Sequence, residues 1–296
     1  MSDKQPIGVI GLGNMGRGMA LSLLRAGFAV LGLDRSPAVA QRARQEGVTL
    51  AGDLPQLAAA CRTIVLSLPT SAVVREVMAG EQGILALARP GVAVIDTTTA
   101  DPDVTRELAV LARQRGAVLI DAPVSGGPGG ALRGELTMFL GGQAEHIEAV
   151  RPVLAAMGSK LFHIGDTGAG NIAKIVNNLL TAAQLLTAGE AFRLAEAAGV
   201  QTGQLLDAIN AGSGRSGVTE FNYPKRILTG GFDSGFTMQL MRKDVALAAS
   251  LCEKLAVDVP VTREVFALWR ESAAALADGE DFNRIVQFRR GAQAGA

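Results

Sequence analysis

The 296-residue chain has only two cysteines and two histidines, and it has no excess of either charge, with 28 basic against 28 acidic residues. Cys61 and Cys252 stand far apart, outside any C-x-x-C or metal-ligand spacing and in apolar helical surroundings. That pattern predicts buried free thiols and fits a reducing cytoplasm. His146 and His163 also lack ligand spacing, so no metal is expected and both read as structural. No block of basic residues stands out, which argues against nucleic-acid binding by phosphate neutralisation. No secretory leader is expected, since MSDKQP runs straight into a strand-like pattern instead of a basic segment followed by an apolar one. A membrane-spanning run is missing too. The most apolar long segment, 172–200, carries Lys174, Asn177, Asn178, Gln184, Glu190, Arg193 and Glu196, too many polar groups for a span. There is no internal repeat and no low-complexity linker.

What remains is an ordinary globular composition, 48% hydrophobic and 19% charged, in a chain long enough for one large or two smaller domains. At its start, the apolar run Ile7 to Ile10 leads into Gly11, Gly13 and Gly16 in G-x-G-x-x-G spacing. A helical pattern follows (Met15, Met19, Leu23) and stops near Gly27, and a second apolar run, 28–33, ends in Asp34. Strand, glycine turn, helix, strand and then an acid about twenty residues past the glycines form a dinucleotide-binding unit. Gly11 makes the tight turn, Gly13 lets backbone approach a pyrophosphate, and Gly16 packs helix on strand. The helix N-terminus offers free N–H groups to the anion. Asp34 would accept from the adenosine ribose hydroxyls and repel a 2′-phosphate, which favours NAD. The adjacent Arg35 leaves NADP use open, because its guanidinium can reach a 2′-phosphate or stack on adenine.

The alternation continues. Buried-type strands are predicted at 62–68, ending in Leu68 and Pro69, at 92–96, followed by Thr97, Thr98 and Thr99, and at 117–121. A helix should start at Asp101 as N-cap with Pro102 first inside it. Strands separated by helices argue for a parallel, doubly wound sheet, whose ligands lie at the carboxyl ends of strands. Leu68–Pro69, Thr99 and Ser125 all fall just past such ends. Ser125 sits in "DAPVSGGPGGALRGELTMFLGG", residues 121–142, with seven of the chain's 36 glycines. This is either a turn between strands or a place where backbone N–H groups close on a ligand.

After residue 170 strand signals fade. A long helix is predicted over 172–198, apolar almost all round, as for a helix buried between domains or subunits, and further helices at 202–211, 237–256 and 260–277. A homodimer or homotetramer is expected from that helix. The domains should divide near residue 165, giving 1–165 and 166–296, with the tail after Arg289 frayed. Lys174 and Asn178 lie four apart, on one helix face, among apolar neighbours. Asn is a poor helix former, so the Asn177–Asn178 pair suggests a polar task. Lys243 beside Asp244 reads, by itself, as an exposed ion pair.

Together these motifs resemble the β-hydroxyacid dehydrogenases, over about residues 6 to 288: "GLGNMG", "LP" at 68–69, "DAPVSGG" at 121–127, "GAGNIAKIVNN" at 168–178 and "KD" at 243–244. The resemblance implies a Rossmann-type N-terminal domain, an all-helical C-terminal domain and nicotinamide-dependent oxidation of a short 3-hydroxy acid or reduction of its semialdehyde. It further implies that Ser125 and the N–H groups of Gly126 and Gly127 hold the substrate carboxylate. Lys174 would be the essential lysine, with a pKa lowered by partial burial, and Asn178 would bind substrate. Asn14, Met15, Leu68 and Thr99 would contact cofactor, and Lys243 would reach the cofactor or active site. Three related groups fit less well. 6-Phosphogluconate dehydrogenase is much longer and needs a phosphate-binding basic cluster. Imine reductases usually lack the Ser-Gly-Gly loop and the lysine. Non-catalytic chromatin scaffolds have lost the lysine that stands here as Lys174. Side-chain specificity falls to "GSGRSGVTEFNYP", 212–224, where Arg215 is either a contact to a second polar substrate group or a surface residue.

Overall fold

A computed structural model describes residues 5–87 and 89–288; the frayed tail expected after Arg289 lies outside the described residues. The chain divides into two compact units, the first up to Lys174 and the second from Ile175. The first alternates β1 (Ile7–Ile10), α1 (Asn14–Arg25), β2 (Val30–Leu33), α2 (Pro37–Gln45), β3 (Thr49–Leu50), α3 (Leu54–Ala60), β4 (Thr63–Leu66), α4 (Ser71–Ala79), α5 (Ile84–Leu87), β5 (Ala93–Asp96), α6 (Pro102–Gln114) and β6 (Val118–Asp121). It continues through β7 (Val124–Ser125), α7 (Gly127–Arg133), β8 (Thr137–Gly141), α8 (Ala144–Ala149), α9 (Arg151–Met157) and β9 (Lys160–Gly165). The helix α10 (Ala169–Ala197) begins in this unit and runs on into the second.

The strands IGVI, TIVL, AVID and VLID are short, rich in β-branched residues and almost wholly buried, as a sheet covered on both faces requires. With β2 and β3 they make six parallel strands in the order β3-β2-β1-β4-β5-β6. Chain order reverses at β1, which pairs β2 on one side and β4 on the other; a doubly wound sheet binds its ligands at such a reversal. One core layer packs Met19, Leu23, Ala131 and Leu154 against one face, and another packs Leu57, Met78 and Leu108 against the other. Asp101 caps α6 through the Asp103 amide, with Pro102 following.

The expectation of a parallel sheet needs one correction. β8 runs antiparallel to β6 and to β7, and β9 pairs parallel with β8. The cause is local: the seven-residue α7 is too short for a crossover back to the starting edge, so the chain reverses. The glycine run is therefore neither a bare turn nor a single loop but strand, helix and strand. Element ends also shift: the strands expected at 62–68, 92–96 and 117–121 narrow to β4, β5 and β6.

Within the second unit, α10 is followed by α11 (Thr202–Ala211), a π-type helix at Val218–Ile227, α12 (Met238–Lys254) and α13 (Pro260–Glu271), with 3₁₀ turns at Ser272–Ala274 and Phe282–Gln287. Its core centres on Trp269, which is fully buried and donates Nε1–H to the Ala182 carbonyl at 3.2 Å. The helix expected over 260–277 stops at Glu271 and tightens into a 3₁₀ turn. The π-type helix carries Pro224 inside it; the missing N–H hides this segment from a helix reading. Cys61 is buried, and burial pushes its thiol up to about 11. Cys252 is only half-buried: it continues the buried face of α12 four residues past Ala248, but in the last turn, where the helix end is exposed.

Candidate active site

The fingerprint turn leaves β1 at its carboxyl end. A Cβ on Gly16 would stand 1.8 Å from the Gly11 carbonyl oxygen, so α1 can lie against the turn only without one. Gly13 is the opposite case: apart from its neighbours along the chain, none of the described residues lies within 4 Å of where its Cβ would be. Gly13 is also the N-cap of α1 and brings no side chain to its free amides. An open cradle at an uncapped helix start suits a pyrophosphate. Asn14 is exposed and Met15 half-buried beside it.

Asp34, one residue past β2, turns back to this loop. Its Oδ2 accepts from the Leu12 amide at 2.7 Å and its Oδ1 from the Ser36 amide at 2.8 Å. Each oxygen keeps a lone pair, so the carboxylate is oriented but not saturated. Arg35 is exposed. On the next strand ends, the Leu68 amide donates to Thr98 Oγ1 at 3.1 Å and Thr97 Oγ1 donates to the Leu66 carbonyl at 2.6 Å. Leu68 and Thr99 are thus held at neighbouring strand ends, with Leu68 half-buried and Pro69 exposed.

Ser125 ends β7, and the two glycines after it have positive φ, 128° at Gly126 and 64° at Gly127. Side chains other than glycine's rarely adopt that backbone. Four residues upstream, Asp121 ends β6 fully buried. It accepts from the Gly168 amide at 2.8 Å and the Asn171 amide at 3.0 Å, capping the start of α10. Burial raises its carboxyl above the usual range, against the opposing pull of those backbone hydrogen bonds. Asn171 is itself fully buried, with Oδ1 accepting from Ala100 N at 2.9 Å and Nδ2 donating to Thr105 Oγ1 at 3.1 Å. Lys174 follows on the same helix, only 8% exposed.

The second unit brings Asn178 and Lys243 together through Asp244. That carboxylate is 1% exposed; Asn178 Nδ2 donates to its Oδ2 at 2.5 Å, and Lys243 Nζ lies 3.0 Å from its Oδ1. The reading of Lys243–Asp244 as an exposed ion pair is therefore wrong. Asp244 points inward to a helix partner that sequence spacing does not reveal. Asn177 donates in turn to Asn178 Oδ1 at 3.0 Å, and Arg215 lies exposed. Sequence reasoning missed the tasks of Asp121, Asn171 and Asp244. The signals were there: an acid closing a buried strand, a polar residue after two helix-opening glycines, and an acid four-square on a helix beside a lysine. Among the described residues no group of three metal-ligating side chains forms, and no helix is long and apolar enough to cross a membrane.

Residues 6–165 match the family model of the NAD-binding domain of 6-phosphogluconate dehydrogenase. Residues 168–289 match the NAD-binding model of NADP-dependent 3-hydroxyisobutyrate dehydrogenase. Among curated proteins, 2-(hydroxymethyl)glutarate dehydrogenase of Eubacterium barkeri is 34% identical over 287 residues, 97% of this chain and 95% of that protein. Among solved structures, 3-hydroxyisobutyrate dehydrogenase of Mycobacterium tuberculosis with L-serine superposes with a TM-score of 0.88 at 34% identity, covering 97% of this chain and 99% of that one. Psf3 in complex with NADP+ and 2-OPP gives 0.87 at 27% identity, covering 95% and 99%.

Proposed function

Since the chain belongs to the β-hydroxyacid dehydrogenase family and is an NAD(P)-dependent oxidoreductase, we propose that Lys174 is its catalytic acid–base and that its substrate is a short 3-hydroxy acid or the matching semialdehyde. The observation that carries this reading is the burial of Lys174. An ammonium costs free energy to take out of water, yet this one is 8% exposed on a helix whose start is fastened to the strand ends beside Thr99 and Ser125.

The open cradle at Gly13 and the uncapped start of α1 fit the pyrophosphate of the dinucleotide, with Asp34 placed for the ribose hydroxyls. Bound nicotinamide supplies the acceptor or donor of the hydride carried by the substrate carbon. The chain's own residues do the rest. Ser125 and the amides of Gly126 and Gly127 hold the substrate carboxylate, and Asn178 steadies the hydroxyl end. Lys174, when neutral, takes the hydroxyl proton during oxidation; as ammonium it returns that proton during reduction. In either direction its positive form stabilises charge growing on the oxygen. The two free cysteines fit a reducing compartment, the cytoplasm.

The test is a turnover screen with 3-hydroxyisobutyrate, glycerate, serine and threonate, each with NAD and NADP, on the wild type and on Lys174→Ala. The variant is expected to lose at least about a hundredfold in kcat, on the order of 2.7 kcal/mol in barrier, while binding cofactor normally. Turnover within about tenfold of wild type overturns the assignment.

A further inference from the structure

Resting on the reading of Lys174 above, we propose that Asn171 is a positioning residue that fixes the register of α10, and so the place of Lys174, through a lateral clamp to Ala100 and Thr105. A helix start needs its first amides satisfied, and Asp121 already does this for Gly168 and Asn171. The Asn171 side chain is therefore not required as a cap, and it caps nothing. It reaches sideways out of the helix to two other elements. Oδ1 accepts from the amide of Ala100, the residue after Thr99, and Nδ2 donates to Thr105 in α6. A fully buried amide costs free energy unless paired, and this one has a partner at each end.

Gly170 completes the clamp. A Cβ there would stand 2.3 Å from the Phe139 carbonyl oxygen and 2.9 Å from that of Asp121, so the helix is pressed onto β8 and β6. Asn171 and Lys174 are three residues apart, on neighbouring positions of one face. A slip of one residue along the helix would swing Lys174 by about 100° and shift it about 1.5 Å, and displacements of that size lower turnover sharply. The clamp ties the lysine to the strand end that carries Thr99, while Asp121 ties it to the strand end that leads to Ser125.

Thr105 gives a clean probe, since it touches Asn171 from within α6 and has no place in the catalytic or binding machinery. Thr105→Val keeps the shape and removes the acceptor; Thr105→Ser keeps the hydroxyl. With the hydroxy acid that the turnover screen finds best, Thr105→Val should lower kcat about tenfold or more. KM for that acid and the affinity for NAD(P) should stay within about twofold, and Thr105→Ser should restore kcat to within about twofold of wild type. Asn171→Ala, if it folds, should lose more than Thr105→Val. Turnover of Thr105→Val within about twofold of wild type overturns the inference, as does a loss spread equally over KM and cofactor affinity, which means general loosening. Lys174→Ala measured alongside separates the two claims. If that variant stays active, the assignment of Lys174 fails; if it is inactive while Thr105→Val is normal, only the clamp fails.

Discussion

At the scale of one side chain, Asp34 is the residue expected to govern the choice between NAD and NADP. Its two oxygens accept from Leu12 and Ser36, which orients the remaining lone pairs; a 2′-phosphate bound beside them would be a like-charge neighbour. Arg35 follows but is exposed, so its attraction is screened by salt. NAD should therefore give the higher kcat/KM at one fixed ionic strength, by a modest margin, with NADP use detectable. Asp34→Ala should raise the NADP-to-NAD ratio of kcat/KM; the ratio cancels any loosening of the fingerprint turn that both cofactors share. A wild-type preference for NADP, with that ratio unmoved by Asp34→Ala, would refute the weighting.

The fingerprint shows how one element divides two duties among its glycines. Gly16 serves packing, because any Cβ meets the Gly11 carbonyl, whereas the space at Gly13 is open. Gly16→Ala should cost about 1–3 kcal/mol of stability, as overpacking does, seen as a lowered Tm. Gly13→Ala should change stability by no more than about 0.5 kcal/mol yet weaken NAD(P) binding at least about tenfold, on the order of 1.4 kcal/mol, by titration. Equal loss of Tm in both variants would show that Gly13 is a packing position too. The start of α10 has the same logic, with Gly170 pressed on backbone and Asp121 on the amides.

At the scale of the whole molecule, α10 carries more apolar surface than its own unit covers. Val176, Leu180 and Leu194 are 47%, 56% and 74% exposed. Val176 and Leu194 are eighteen residues apart, five full turns at 3.6 residues each, and Leu180 is one turn from Val176, so the three share a face. A row of that kind is what a symmetric oligomer would cover, and a homo-oligomer is the expected state. Light scattering at micromolar concentration should give the mass of a dimer or tetramer, and a single-subunit mass would count against this. Replacing Leu180 and Leu194 together with Glu should shift the mass downward.

The sequence by itself determined the β–α alternation and the fingerprint of the first unit, as well as α10 to α13, though not the proline-bearing helix at Val218–Ile227. These depend on period and spacing: four-residue apolar strands, glycines at fixed offsets, and apolar positions recurring with the helical turn. It also brought Lys174 and Asn178 onto one face, because both lie on one helix. Only the tertiary structure decided what depends on partners distant in the chain. The antiparallel return of β8 follows from the short α7. Asp244 turns inward because Asn178, 66 residues away, meets it. Asn171 becomes a clamp only when Ala100 and Thr105, 71 and 66 residues away, arrive beside it. Periodicity constrains neighbours along an element, while a buried hydrogen bond across such separations is specified by how the elements pack.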